Sequence, residues 1–214
     1  MIETDLLLVY GAVYKKVYED EVIFTEGENC LFYHQLVEGR IGWSNFNEDG
    51  SEILQGVVWP GECFGELPLF DQQPYACTAT ALTECLIIRI PLPEFNSLLC
   101  EHAEVRQALN RMFAQKLRFK LFLTHQLAGH SPERIVDEVF KYLHLHTNNV
   151  CGECNKLMLT RQQVANLTGM RVETVIRATK ILENKGKLRI VRGKIFLPAC
   201  LETDNIQGYC CSSL

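Results

Sequence analysis

The stretch from Thr160 to Gly186, "TRQQVANLTGMRVETVIRATKILENKG", decides how the rest of the chain is read. Its opening "TRQQ" fits a capping box, with Thr160 as N-cap and Gln163 three residues on. A short helix is expected to about Leu167. Gly169 can then take the positive φ of a turn, and the small Ala165 lets a second helix approach. Val175 fills the gap between the two helices, and Val164, Met170 and Ala178 are also expected inside. Together these spacings predict a helix-turn-helix.

With Val175, Ala178 and Leu182 inward, the second helix presents Val172, Glu173, Ile176, Arg177 and Lys180 outward. Arginine can donate two hydrogen bonds to the O6/N7 edge of guanine, and glutamate can accept from cytosine N4. Glu173 and Arg177, one turn apart, can read neighbouring bases. The alternative is a solvated i,i+4 Glu–Arg pair worth ~0.3–0.5 kcal/mol. Val172 and Ile176 count against it, because two apolar groups have little reason to border a solvated face. Beyond the helix, "KLRIVRGKIFL" reads as two strands around a tight turn at Arg192-Gly193. Such a wing can place Arg192 and Lys194 on phosphates. Thr160, Arg161, Arg171 and Thr174 complete the candidate DNA-binding set.

The charge distribution agrees. The 214 residues carry a net −5, but residues 1–128 hold nine Lys/Arg against eighteen Asp/Glu. Residues 129–198 hold twelve against six, and from Thr160 to Pro198 the count is nine to two. A basic module is attached to an acidic one, and nucleic acid is the partner expected for the basic part.

Between Glu26 and Phe70 turn signals recur at Gly27, Gly39, Gly50 and Gly61, separated by short runs rich in Ile, Val, Phe, Tyr and Trp. That spacing predicts an all-β sandwich or barrel of hairpins, continuing through "ACTATALTECLIIRI" (Ala76 to Ile90). Pro91 and Pro93 end the strands. "EFNSLLCEH" reads as a short helix, followed by a long one from about Ala103 to Ala128. Its apolar stripe is wider than one core face requires, which points to two partners, the β-domain and a second copy of the helix. Val105, Met112, Phe119 and Leu123 are the candidate dimer residues. "GHSPER" (Gly129 to Arg134) supplies a hinge and a new helix start, with Ser131 as cap and Pro132 at the first helical position.

"LLLVYGAV" (Leu6 to Val13) is far short of the ~20 residues a membrane span needs. It follows Glu3 and Asp5 where a secretory signal would carry positive charge, so a buried first helix is expected. The ten cysteines are irregularly spaced without an export signal, which predicts free thiols in a reducing, cytoplasmic compartment.

A β-domain with "PGECFGELPLF", a long helix, then "LTRQQVANLTG" and "VETVIR" resembles the cyclic-AMP receptor protein and fumarate–nitrate regulator (Crp/Fnr) family of bacterial transcription regulators. The likeness covers about residues 15–198. It implies an α+β chain in three parts. These are a β-roll sensor (a cyclic-nucleotide-binding-like double-stranded jelly roll) over 1–100, a dimerisation helix over 101–128 and a winged helix-turn-helix over 129–200. A tail over 201–214 follows. It further implies a homodimer on a near-palindromic double-stranded DNA site, RNA polymerase as a partner, and base contacts by Glu173 and Arg177. Val172 stands where the cyclic-AMP branch has arginine and the fumarate–nitrate branch has valine, so the DNA site is expected nearer the latter's.

The sequence departs from the family in two places. In cyclic-nucleotide binders the pair matching Gly65-Glu66 is followed by an Arg-Ser pair that holds the phosphate. Here that position reads Ala76-Cys77, and no Lys or Arg occurs from Leu67 to Ile88. Gly65, Glu66, Ala76 and Cys77 are thus candidate pocket residues for an effector other than cyclic AMP. The iron–sulfur branch carries a cysteine cluster near its start, whereas Cys30 is the only cysteine here before Cys63.

His144, His146, Cys151 and Cys154 have ligand types and spacing compatible with zinc, but a lone CxxC is a weak signal and a loop with two free thiols is expected instead. Cys200, Cys210 and Cys211 are candidate reactive thiols. No nucleophile–base set, phosphate-binding Gly-Lys loop or paired-carboxylate arrangement stands out, so no enzyme, cofactor or membrane attachment is expected. The rival readings are a redox- or metal-responsive regulator using the cysteines, and a sensor whose output is another protein.

Overall fold

A computed structural model describes residues 2–198. The chain divides into two compact units between Arg118 and Phe119, a point inside the long helix rather than at either of its ends. The sequence reading had set that helix apart as residues 101–128.

The first unit begins with α1 (Thr4–Val9), followed by β1 (Val13–Val17), β2 (Val22–Phe24), β3 (Phe32–Glu38), β4 (Ile41–Phe46), β5 (Glu52–Val58) and β6 (Cys63–Phe64). Then come α2 (Pro68–Asp71), β7 (Thr78–Ala81), β8 (Cys85–Pro91), α3 (Leu92–Glu101) and the start of α4 (Ala103–Leu127). The strands form two four-stranded antiparallel sheets, ordered β1-β8-β3-β6 and β2-β7-β4-β5. This is the expected antiparallel β architecture.

Alternate residues of a strand face opposite sides, and β8 shows what this does for the core. Cys85 and Ile87 pack with Val17, Leu36, Ile41, Ala79 and Ala81 between the sheets. Ile88 and Ile90 pack on the other side with Tyr33, Phe95, Leu98, Val105 and Leu109, under α3 and α4. The expected buried first helix forms as α1 but hides only part of itself. Leu7 is enclosed, whereas Leu8 and Val9 are exposed, because a six-residue helix on a surface has a single inward face.

The four candidate dimer residues on α4 differ in how far their own chain covers them. Val105 and Leu123 are buried within their own chain, Met112 packs on the core beneath α3 with its Sδ 3.1 Å from Cys63 Sγ, and Phe119 lies against the Tyr142 ring. The large apolar side chains that α4 leaves open are Leu117 and Leu121, at 59% and 63% exposure, and, at its C-terminal end, Leu127.

The second unit contains α5 (Pro132–His146), α6 (Arg161–Thr168), α7 (Val172–Asn184), β9 (Arg189–Val191) and β10 (Lys194–Phe196). Ser131 caps α5, its hydroxyl accepting from Arg134 N–H, and Pro132 occupies the first turn as expected. α5 buries Ile135, Val136, Val139, Phe140 and Leu143 and packs against α7. Lys185 and Lys187 add ion pairs to Glu133 and Asp137. Among the described residues no helix is long and apolar enough to cross a membrane.

Candidate nucleic-acid interface and effector pocket

The capping box forms in full. Thr160 Oγ1 accepts from Gln163 N–H at 3.1 Å, and Thr160 N–H donates to Gln163 Oε1 at 2.9 Å. Thr160 is therefore committed to the helix start. Gly169 ends α6 with φ +64 and donates its N–H to Ala165 O, a left-handed closure that a β-branched residue would resist. Ala165 and Val175 are fully buried where the two helices cross, with Ala178 and Leu182 behind them.

On the outer side of α7, Glu173, Arg177 and Lys180 are exposed, as is Arg171 at its N-cap. No hydrogen bond or ion pair engages the side chains of Glu173, Arg177 or Lys180 among the described residues, so the i,i+4 Glu–Arg pair does not form. Val172, Thr174 and Ile176 are half-buried at the margins of this face.

β9 and β10 pair with Lys194 opposite Val191. Arg192 (φ +48) and Gly193 (φ +76) turn the chain between them, the two positive φ angles of a type I′ hairpin. Arg192 and Lys194 stand exposed on this wing. Arg161, a candidate DNA contact, donates from Nη1 to Gly193 O at 2.7 Å, bracing the wing turn from the start of α6. Sequence reasoning missed this role, because the two positions lie 32 residues apart with no local pattern linking them.

The metal candidates do not converge. Among the described residues no group of three or more His, Cys, Asp or Glu is placed to hold an ion. His146 lies against the Tyr142 ring, His144 Nδ1 is buried, and Cys151 closes a tight turn through its backbone with Lys156 and Asn155. No disulfide links any of the seven described cysteines, and Cys200, Cys210 and Cys211 lie outside the described residues.

In the first unit Gly65 has φ +65, and a Cβ there would overlap the Phe24 ring and come within 2.9 Å of Tyr75 Cε1. Phe24 and Tyr75 stack with centroids 3.7 Å apart, so aromatic side chains crowd the approach to Gly65. Glu66 is fully buried. Its Oε1 accepts from Lys116 Nζ of α4 at 2.7 Å, and its Oε2 has no hydrogen-bond partner. Burial works against the Lys116 charge, but the Glu66 carboxylate outweighs it and holds the amine's pKa above the ordinary lysine value. The neighbouring Cys63 thiol is pushed up to about 12 by burial and by the Glu66 charge.

The positions that would replace a phosphate-binding Arg-Ser pair carry no cation. Ala76 is exposed and its carbonyl accepts from Asn45 Nδ2 at 2.7 Å, while the buried Cys77 donates from Sγ to Asn45 Oδ1 at 3.2 Å. Asn45 Nδ2 also bonds Glu26 Oε2 at 2.9 Å. An acid therefore stands two hydrogen bonds from Ala76.

A sheet-built sensor followed by a winged helix-turn-helix defines a class of DNA-binding regulators, and known proteins agree. The cyclic nucleotide-binding domain family matches residues 14–102, and the Crp-like helix-turn-helix domain family matches residues 139–200. The CRP-like cAMP-activated global transcriptional regulator of Mycobacterium tuberculosis is 25% identical over 170 residues, covering 78% of this chain and 76% of that protein. The cAMP-activated global transcriptional regulator Vfr of Pseudomonas aeruginosa is 25% identical over 177 residues, covering 80% and 82%. Among solved structures, the c-di-GMP responsive global regulator CLP of Xanthomonas campestris shares the fold with a TM-score of 0.74 and 18% identity, over 90% of this chain and 96% of that one. FixK2 of Bradyrhizobium japonicum does so with a TM-score of 0.73 and 21% identity, over 89% and 94%. The chain belongs to the Crp/Fnr family of transcription regulators. It is a DNA-binding, effector-responsive regulator and not an enzyme.

Proposed function

We propose that two copies of the chain pair through α4 and read a near-palindromic DNA site. Each α7 enters a major groove, half-sites lie about one helical turn apart, and each contains a G·C pair read by Arg177. The observation that carries this reading is the unengaged Glu173–Arg177–Lys180 face, whose donors and acceptor are met by no group among the described residues. Lys194 and Arg192 on the wing supply phosphate contacts, and Arg161 keeps the wing turn in place.

The pairing face is an open seam on α4. Ala103, Gln107, Asn110, Ala114, Leu117, Leu121 and Thr124 alternate at spacings of four and three, and all are exposed. That is a heptad seam, with leucines to pack and alanines to let two helices approach.

The effector is a small molecule other than cyclic AMP. Two relatives are cAMP-activated and one structural neighbour is c-di-GMP responsive, so one architecture serves different ligands. In this chain the position of the phosphate clamp has Glu26 nearby and no cation, and a desolvated phosphate needs its charge compensated. Acting in the cytoplasm, the dimer sets the access of RNA polymerase to the genes beside its site.

Selection of bound sequences from random DNA tests the whole reading and should return inverted repeats. Arg177→Ala should cost roughly 1–3 kcal/mol and relax preference at one position, while Lys194→Ala should weaken all sequences alike. Equal loss on selected and random DNA for Arg177→Ala would remove it from base reading.

A further inference from the structure

Strand register sets Val13, Arg89, His34 and Phe64 in one row across the first sheet, each opposite the next. Alternation puts Phe32 and Lys15 on the same face, the side on which Val17, Leu36 and Ile87 meet the core. The Arg89 guanidinium lies 4.6 Å from the centroid of the Phe32 ring, and its buried Nε has no hydrogen-bond partner. His34, 5% exposed, sits among the rings of Phe24, Phe32 and Phe64, and its Nδ1 is also buried without a partner. The nearby Glu21 carboxylate is taken by Lys15 Nζ at 3.1 Å, and no acidic side chain pairs with Arg89 among the described residues.

Buried polar atoms are almost always satisfied, and here two unsatisfied ones belong to directly facing residues. A cation is excluded by Arg89 and Lys15, and a neutral donor would leave the guanidinium unmet. An oxyanion satisfies both groups at once. The planar guanidinium matches two oxygens of a carboxylate or phosphate, and the Phe32 ring covers one of its sides. We propose that Arg89 and His34 form an anion-binding site on the β1-β8-β3-β6 sheet that takes a carboxylate or phosphate oxyanion. Arg89 holds two oxygens, His34 donates from Nδ1, and Lys15 adds positive potential. Burial, then the Arg89 and Lys15 charges, hold the His34 pKa down to about 3, so its ring is neutral and offers one N–H. Asn45 lies on the other sheet and Cys77 just before its strand β7, and the site does not depend on the reading of α7.

Histidine ring-proton NMR on the full chain tests this, with the His34 signal identified by its loss in His34→Gln. Inorganic phosphate and acetate are titrated separately against sodium chloride at matched ionic strength. A saturable shift with phosphate, with acetate or with both supports the site and names its oxyanion. The midpoint should rise roughly tenfold or more in Arg89→Gln, the loss expected when one side of a buried charge pair is removed. Arg89→Lys, which keeps the charge but loses the fork, should give an intermediate midpoint and serves in place of Arg89→Gln if that variant does not fold. A His34 signal that moves only as it does in chloride, or a midpoint unchanged in the Arg89 variant that folds, overturns the proposal.

Discussion

Replacing Lys116 with methionine should destabilise the first unit in a way that depends on pH. Glu66 is 0% exposed, and among the described residues its carboxylate accepts one hydrogen bond, from Lys116 Nζ at 2.7 Å. Methionine preserves most of the apolar stem and removes the charge, leaving a buried carboxylate alone. Breaking a buried pair from one side costs about 3–5 kcal/mol. The Lys116 side chain is 35% exposed, so solvent screening discounts the pair, and about 2–3 kcal/mol is expected at pH 7. The Lys116 pKa in the parent protein is raised, the Glu66 carboxylate outweighing burial, so its contribution is full below the ordinary lysine value and is lost only as pH rises through the folded value. The deficit should therefore be present at neutral pH and shrink only in strongly alkaline solution. Urea unfolding followed by tryptophan fluorescence reads this unit alone, since the two tryptophans are Trp43 and Trp59. Glu66→Gln added to Lys116→Met should recover most of the loss. A deficit under about 0.5 kcal/mol at pH 7, the size of an ordinary surface substitution, refutes the reasoning.

Leu121→Glu, placed on the open seam of α4, should give a folded monomer in sedimentation, whereas Met112→Glu buries an unpaired charge and should unfold the first unit. A fully dimeric Leu121→Glu would move the interface off that seam. Thr160→Ala removes the cap and should cost about 1 kcal/mol in thermal unfolding of the second unit, and an unchanged midpoint would show the box to be idle. Calorimetric titration with cyclic AMP should show no binding in the micromolar range, and micromolar binding that also tightens DNA affinity would sink the effector reading.

Much of the second unit was legible because its signals are local. The capping box spans four residues, the αL turn needs one glycine, and the wing needs two positions of positive φ. Each fixes backbone without help from distant chain. The strands were legible for the same reason, their limits being set by turn glycines. The site residues that escaped notice are long-range. Lys116 reaches Glu66 from 50 positions away, and Asn45 links Glu26 to Ala76 across 19 and 31. Arg89 belongs to no local motif, and the partners it faces, Phe32 and His34, come from another strand. Spacing along a sequence does not encode such pairs, because they are chosen by sheet register and by which helix face turns inward.

The α4 helix offers two sets of apolar residues for pairing, and its pattern alone does not choose between them. A broad apolar stripe establishes that two surfaces are covered, but 3.6-residue periodicity does not say which one the chain covers itself. Intrachain packing is available at any protein concentration and is formed before a second copy arrives. The residues that reach deepest are therefore used there: Val105 and Leu109 are enclosed, and Met112 and Phe113 pack beside them. A seam between copies has a different requirement. Two helices at coiled-coil distance need small residues between the large ones, and Ala103 and Ala114 beside Leu117 and Leu121 meet it. Size alone selects Met112 and Phe119, whereas the 3.5-residue repeat of exposed positions selects Leu117 and Leu121. Asn110 falls on that repeat, where a polar group closed off between helices is satisfied best by its own copy. It thereby favours one register and two strands at some cost in stability.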